Sequence, residues 1–458
     1  MSGSSDTIFA KSSGAGKAGV AVFRISGKQA ETIAMKLVGR SLPERAATYV
    51  TVKDPENNLL IDRGMAILFK GPRSFNGEDT LELQLHGSRA VETALYDALR
   101  FLHARPADAG EFTLRAFKNG KLDLAQAEAL SDLLEAETIL QRKQALGQLE
   151  GRLSAVAEAW RGRVLAIMAP LEAEIDFPDE GGVPAEIAAR AVPEIAALKK
   201  ELRAYLDQSG SAKMIREGVS IAVIGAPNAG KSSLVNQLAG SDVAIVSQTP
   251  GTTRDVIEAR LDLGGLCVTI FDTAGLRDQT TDDIELAGIA KAKERAVGAD
   301  VRVMVVDGAS IVSRETFLKE GNESVSRETL ALLQSGDAII WNKSDIGSVL
   351  LANDAGPYRE FDISAKTGKG ITDLLASLCD GLSEDALTDG PALTRARHID
   401  AVEAALASLE RAEMMVSQSP ELAAEDARMA VRNLGSITGE VGVEDILGEI
   451  FSSFCIGK

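Results

Sequence analysis

Gly225-Ala226-Pro227-Asn228-Ala229-Gly230-Lys231-Ser232-Ser233 follows the apolar run Ile221-Ala222-Val223-Ile224 and precedes Leu234-Val235-Asn236-Gln237-Leu238. The order is strand, glycine-bounded loop, amphipathic helix, the setting in which G-x-x-x-x-G-K-[ST] forms a phosphate cradle. Gly225 and Gly230 let the backbone turn tightly enough for successive N–H groups to face phosphate oxygens. The helix that follows presents its positive end to the same anion. In this reading Lys231 reaches the terminal phosphates and the Ser232 hydroxyl ligates Mg²⁺. A lone match of this kind also arises by chance, so the reading depends on what lies downstream.

Gly251-Thr252-Thr253-Arg254-Asp255 precedes a strand, and Thr253 offers the second hydroxyl for Mg²⁺. Asp272-Thr273-Ala274-Gly275 closes an apolar strand, placing Asp272 at the Mg²⁺ water shell and the Gly275 N–H at the γ-phosphate. Asn342-Lys343-Ser344-Asp345 follows the strand Ala338-Ile339-Ile340-Trp341. A carboxylate at Asp345 accepts from guanine N1–H and N2–H₂, groups adenine lacks, and such a site discriminates strongly. Ser364-Ala365-Lys366 ends a further strand beside the base. Four elements in this order specify GTP. The expected contact set also takes in Ser247, Gln248, Thr249 and Pro250 of the segment before Gly251.

The residue after Asp-x-x-Gly, a water-orienting glutamine in Ras-like enzymes, is Leu276, so another group must orient water. Asp282-Asp283-Ile284-Glu285 offers carboxylates at a helix start; acids favour such a position in any case, and Glu285 is the candidate base. Positive charge for the transition state is the second unmet need. Asn228, with backbone carbonyls from Ser247 to Thr252, could cage a monovalent cation, although Asn in a loop is commonly a turn residue.

Around this block, the 458 residues suggest about three domains. A hydrophobic fraction of 45% with only 4% aromatics fits an ordinary globular chain rich in aliphatic helix. The three cysteines, Cys267, Cys379 and Cys455, are far apart and odd in number, which argues for a reducing compartment. The chain shows no signal-like or membrane-length apolar run, and a cytoplasmic location is expected. Residues 1–120 carry 16 Lys and Arg against 13 Asp and Glu, a balance of +3, leaving −21 for the rest. An acidic body does not bind phosphate backbones non-specifically, so any nucleic-acid contact must be local.

Residues 1–120 read as a small mixed α/β domain, with strands at Gly19–Ser26, Met65–Phe69 and Thr80–His86 and helices at Lys28–Gly39 and Val91–His103. From Lys121 the pattern is helical: Leu149, Leu153, Val156, Trp160, Val164, Ile167 and Leu171 form one apolar stripe, with Gly147 and Gly151 as dividing points. A further helix spans Pro184–Ser209. Residues 216–380 alternate strand and helix, the signature of a doubly wound parallel sheet, with a hairpin at Gly264-Gly265 adding one antiparallel edge. Residues 309–328 look like a loop insertion. Acidic, alanine-rich helices return over 381–450. The expected architecture is multidomain α/β plus all-α: domain 1–120, a helical domain in two parts (121–215 and 381–458), and an inserted Ras-like P-loop domain over 216–380.

These residues together resemble the MnmE (TrmE) family of tRNA-modification GTPases. The resemblance spans essentially the whole chain and is carried by Val22-Phe23-Arg24-Ile25-Ser26-Gly27, Glu111-Phe112-Thr113-Leu114-Arg115-Ala116-Phe117, Asn119-Gly120-Lys121-Leu122-Asp123-Leu124, Ile175-Asp176-Phe177-Pro178, Asp272–Arg277 and the terminal Phe454-Cys455-Ile456-Gly457-Lys458. It implies an N-terminal folate-binding domain through which the protein forms a homodimer, and GTPase domains that meet across the nucleotides when K⁺ is bound. It implies an FAD-dependent partner, MnmG, in a heterotetramer or larger complex. Together they would add a carboxymethylaminomethyl or aminomethyl group at C5 of the wobble uridine of certain tRNAs, with a 5-formyl- or methylene-tetrahydrofolate as one-carbon source. By matching positions the resemblance makes Asn228, Ser247, Thr249 and Thr252 the K⁺ ligands and Glu285 the catalytic glutamate. Arg24, Glu82, Lys121 and Lys458 become folate contacts, and Cys455 takes part in modification. Ala226 stands where the family has Arg or Lys, and one extra residue separates Arg277 from Glu285. For the tail the plain alternative is disorder with an incidental thiol; the resemblance instead implies a place near the folate site, and that reading is preferred. Two other readings compete. A ribosome-assembly or RNA-binding switch GTPase would want a basic module after residue 380, where the chain is acidic helix. A dynamin-like mechanical GTPase would want a lipid-binding tip, and none is found.

Overall fold

The computed structural model describes residues 6–176, 187–245, 258–272, 294–311, 317–318, 325, 327–347, 357–383, 392–441, 444–452, 454 and 456–457. The chain divides into two compact units. One takes Met1–Ser131, Gln148–Lys199 and Ala401–Lys458; the other takes Asp132–Gly147 and Lys200–Asp400.

In the first unit, β1 (Ile8–Lys11), β2 (Ala18–Ser26), β3 (Thr48–Lys53), β4 (Leu60–Phe69), β5 (Thr80–Gly87) and β6 (Arg105–Pro106) form one sheet in the order β3-β4-β5-β2-β1-β6. Neighbours are antiparallel except the β1–β6 pair. Alternation sets the faces: Leu81, Leu83 and Leu85 of β5 are buried with Phe23 and Ile25 of β2, while Glu82 and Gln84 point the other way. Helices α1 (Ala30–Val38) and α2 (Arg89–Phe101) cover the apolar face through Ile33, Leu37, Leu95 and Leu99. The Ser88 hydroxyl starts α2 by accepting from the Val91 N–H at 3.2 Å. The three strands and two helices expected here are present; β1 and β6, at 4 and 2 residues, are too short to show a period.

The long helical stretch is α3 (Glu111–Lys118), α4 (Leu124–Glu135), α5 (Ile139–Leu149) and α6 (Arg152–Asp176). The apolar stripe is buried along α6 from Leu153 to Leu171, with Pro170 inside the helix. The expected division at Gly147 is corrected: Gly147 lies within α5, and the breaks fall at 136–138 and 150–151. The first break is a capping box. Gln141 N–H donates to Thr138 Oγ1 at 3.3 Å, and Gln141 Oε1 accepts from the Thr138 N–H at 3.2 Å. Along the helix Pro420–Thr438, which packs on α6, Ala423, Ala427 and Ala430 are fully buried.

The second unit holds α8 (Ser209–Glu217), which follows α7 (Ala191–Asp207), and the sheet of β7 (Val219–Ile224), β8 (Glu258–Leu263), β9 (Leu266–Asp272), β10 (Val301–Asp307), β11 (Ala338–Asn342) and β12 (Arg359–Asp362). Its order is β12-β11-β10-β7-β9-β8, parallel throughout except for the β8–β9 hairpin. Gly264 and Gly265 turn that hairpin at φ +64° and +94°. β7, β10 and β11 are buried almost residue by residue, as a parallel sheet covered on both faces requires. The stretch read as a loop insertion contributes to this core: Phe317 is buried and stacks edge-on against Trp341 at 5.4 Å between ring centroids. The helix α9 (Lys231–Ala239) follows the loop at the end of β7.

Candidate functional site

The loop between β7 and α9 is shaped by two close approaches. A Cβ on Gly225, at φ +140°, would lie 2.2 Å from the Val305 carbonyl oxygen of β10. A Cβ on Gly230, at φ +98°, would lie 2.1 Å from Asn342 Nδ2. Asn342 is a tie as well as a motif residue. Its Nδ2 donates to the Ala229 carbonyl at 2.8 Å, and its Oδ1 accepts from the Ala365 N–H at 2.9 Å. One buried amide thus joins the loop, the end of β11 and the 364–366 segment, a role that motif reading did not anticipate.

Lys231 is buried and its ammonium donates to the carbonyls of Gly225 and Ala226, each at 2.9 Å. Burial pulls its pKa below the usual lysine range, and the Asp272 carboxylate offsets part of that. The Ser232 hydroxyl donates to Asp272 Oδ2. Asp272, paired in register with Val223 of β7, is buried, and its Oδ1 meets no hydrogen-bond partner among the described residues. A buried carboxylate oxygen left open beside a hydroxyl is an oxygen-only donor set, which suits Mg²⁺. Asn228 is exposed with φ +67°, and Ser232 and Ser233 are exposed in the first turn of α9.

Beyond β11, the Ser364 hydroxyl donates to Asp345 Oδ1 at 2.7 Å and accepts from the Thr367 N–H at 3.2 Å. That hydrogen bond holds the Asp345 carboxyl below the usual aspartate range. Lys343, at φ +69°, donates to Asp307 Oδ2 at 2.6 Å, which fixes the strand ends of β10 and β11. Lys231, Ser232, Asp272, Asn342, Asp345, Ser364 and Ala365 are therefore gathered around one loop by hydrogen bonds. Ser247, Gln248, Thr249, Pro250, Gly251, Thr252, Thr253, Thr273, Ala274, Gly275, Leu276, Glu285, Cys455 and Lys458 lie outside the described residues.

The first unit carries a second polar cluster. Arg24 and Glu82 are cross-strand partners on β2 and β5, and the guanidinium donates twice to Glu82 Oε1, at 3.1 and 2.9 Å. The same guanidinium lies over the rings of Phe75 and Phe112, 5.6 and 5.7 Å from their centroids. Behind it, buried Arg115 donates to Glu111, Glu78 and Asp6. Although burial opposes it, these carboxylates hold the Arg115 pKa above its ordinary value. Lys121 sits at the edge of the cluster, where a Cβ on Gly77 would lie 3.4 Å from Lys121 Cε.

Where it is described, the tail packs on the first unit. Phe454 packs with Phe451 against Leu124 and Ala127, Ile456 bridges Ala109, and the Gly457 carbonyl accepts from Ser12 Oγ at 2.8 Å. The signal for this was the Phe451/Phe454 spacing, legible only beside an apolar patch supplied by α3 and α4.

The family profile described as "GTP-binding protein TrmE N-terminus" matches residues 7–121, and "MnmE helical domain" matches residues 124–455. The chain is 47% identical over 459 residues to "tRNA modification GTPase MnmE" of Parvibaculum lavamentivorans, covering 99% of this chain and 100% of that one. It is 45% identical over 458 residues to the protein so named in Paramagnetospirillum magneticum, covering 99% and 100%, and 45% identical over 455 residues to that of Maricaulis maris, covering 99% and 99%.

Proposed function

We propose, for a chain that belongs to the MnmE family of tRNA modification GTPases, that it hydrolyses GTP and uses that reaction in tRNA modification. The observation that carries the first half is the linkage of Lys231, Ser232–Asp272, Asn342 and Asp345 around one glycine-shaped loop. In this reading Lys231 exchanges its two carbonyl partners for β- and γ-phosphate oxygens. Ser232, Thr253 and Asp272 would hold Mg²⁺, which when bound would supply neutralising charge for the phosphates. Asp345, ionised and held by Ser364, accepts from guanine. Glu285 orients water in place of Leu276. Asn228, Ser247, Thr249 and Thr252 are assigned to K⁺ on the family resemblance.

The domain assignment goes with this: 1–120 for folate binding and dimerisation, 121–215 and 381–458 for the helical domain, 216–380 for GTP. Arg24, Glu82, Lys121 and Lys458 are the proposed folate contacts, with Cys455 in the modification. Both Arg24 bonds fall on Glu82 Oε1, so a pterin-type N–H edge would be taken by Oε2, and the cationic residues suit the folate glutamate. With the FAD-dependent MnmG the homodimer would install the aminomethyl-type group on wobble uridine in the cytoplasm. Two measurements test the reading. GTP turnover should be faster in K⁺ than in Na⁺; equal rates remove the potassium assignment. Mass analysis of wobble uridine from cells lacking the protein should show the modified nucleoside lost; unchanged nucleosides remove the function.

A further inference from the structure

The β8–β9 hairpin links two segments assigned above to reading the nucleotide. β8 follows the segment ending in Thr252 and Thr253, and β9 ends in Asp272. One side chain from outside the sheet grips this hairpin. Glu137, between α4 and α5, accepts from Arg260 of β8 at 3.0 Å and from the Cys267 thiol of β9 at 3.5 Å, both on Oε2. Its own backbone is fixed, since the Glu137 N–H donates to Gln141 Oε1 at 2.9 Å and Gln141 Nε2 donates to the Arg216 carbonyl at 3.2 Å. At the turn, a Cβ on Gly265 would lie 2.6 Å from Leu140 Cγ, so α5 also touches the hairpin tip. Burial first, and then the adjacent Glu137 carboxylate, push the Cys267 thiol up to about 11, so it stays protonated as a donor.

We propose that Glu137 is a positioning residue for GTP hydrolysis: by clamping Arg260 and Cys267 it sets where β9 delivers Asp272. The inference rests on the nucleotide reading above. Cys267 and Asp272 are five residues apart on one strand paired in continuous register with β7 from Val268 to Asp272. At about 3.3 Å per residue the clamp acts some 17 Å from the Mg²⁺ ligand through a stiff element. A bond that only stabilised the fold would not single out the chemical step.

The test uses the full-length protein and the variants E137A, R260A, E137A/R260A and E137Q. It measures GTP turnover, and peptide-resolved alkylation of Cys267 by iodoacetamide with and without GDP–aluminium fluoride. E137A is expected to lower kcat by about threefold to tenfold while KM changes by less than about twofold. The double variant should match E137A, since both changes remove one contact. E137Q, which still accepts from Arg260, should recover most of the rate. Cys267 should alkylate several-fold faster in E137A than in wild type, about fivefold by the worth of one such bond. Wild type that turns over no GTP defeats the nucleotide reading, and this inference with it. Wild type that hydrolyses GTP while E137A keeps wild-type kcat, or loses only KM, overturns the positioning role alone. Unchanged Cys267 labelling in E137A overturns the clamp itself.

Discussion

The phosphate loop at the end of β7 and the Arg24 cluster on β2 are both polar sites, yet they are encoded in opposite ways. Residues 225–233 are contiguous, and the two glycines that shape the loop are part of the motif that names it. Arg24, Glu82, Glu78 and Arg115 are spread over about ninety positions and meet because β2 and β5 pair in one register and α3 lies behind them. A one-residue slip of that pairing would send Glu82 to the other face. The loop is specified by local conformation; the cluster is specified by packing. The two also differ in the partners their cations hold. Lys231 is parked on its own loop's carbonyls, weak partners that phosphate oxygens can replace. Arg115 is already satisfied by three carboxylates.

That contrast predicts where each substitution is felt. The largest effect is expected for D345A, which should cut discrimination of GTP over ATP by about a thousandfold, because the guanine donors lose their acceptor; competitive binding of the two nucleotides measures it. Next, R115M should destabilise the first unit by about 3 kcal/mol, since it leaves Glu78 without its buried cation, while Glu111 and Asp6 keep Arg105. Differential scanning calorimetry should show one transition lowered while GTP affinity is unchanged. A loss of GTP affinity in R115M would break the separation of the two regions. K231A should weaken GTP binding by about a hundredfold, the worth of a charge-assisted pair of contacts, with both thermal transitions near wild type. A fall in either transition would mean that Lys231 serves the fold as much as the ligand.

The smallest effect concerns pH. The Ser364 hydrogen bond keeps the folded-state pKa of Asp345 below the ordinary value. A depressed carboxyl keeps its charge, and the binding that needs it, until pH falls through the lowered value. In S364A that pKa should rise, so GTP affinity should begin to fall at a higher pH than in wild type, by about threefold near pH 4. Superimposable pH titrations of the two proteins would show that Ser364 does not tune the base-reading carboxylate.

Much of the second unit was legible because periodicity and motif agree there. The run Ala338–Trp341 is a strand that extends one residue further, to Asn342, and Gly264-Gly265 turns the expected hairpin. The break before α5 is written as Thr138-Ile139-Leu140-Gln141, a capping box set inside a stretch whose helical pattern begins at Lys121. Phe317 could not be assigned to the core from a Ser- and Glu-rich surrounding; only Trp341, facing it, decides its burial. The tail had the same difficulty, since Phe454 is an ordinary aromatic until α4 offers Leu124.

The sequence by itself determined the phosphate loop, the base preference, the α/β pattern over 216–380 and the family, because each depends on a few neighbouring residues whose backbone demands are strict. Tertiary structure alone decided that Asn342 ties three segments, that Glu137 reaches Arg260 and Cys267, and that Arg24 finds Glu82. Those contacts join residues tens to more than a hundred positions apart. The free energy that selects them belongs to sheet register and core packing, which no single stretch of chain contains.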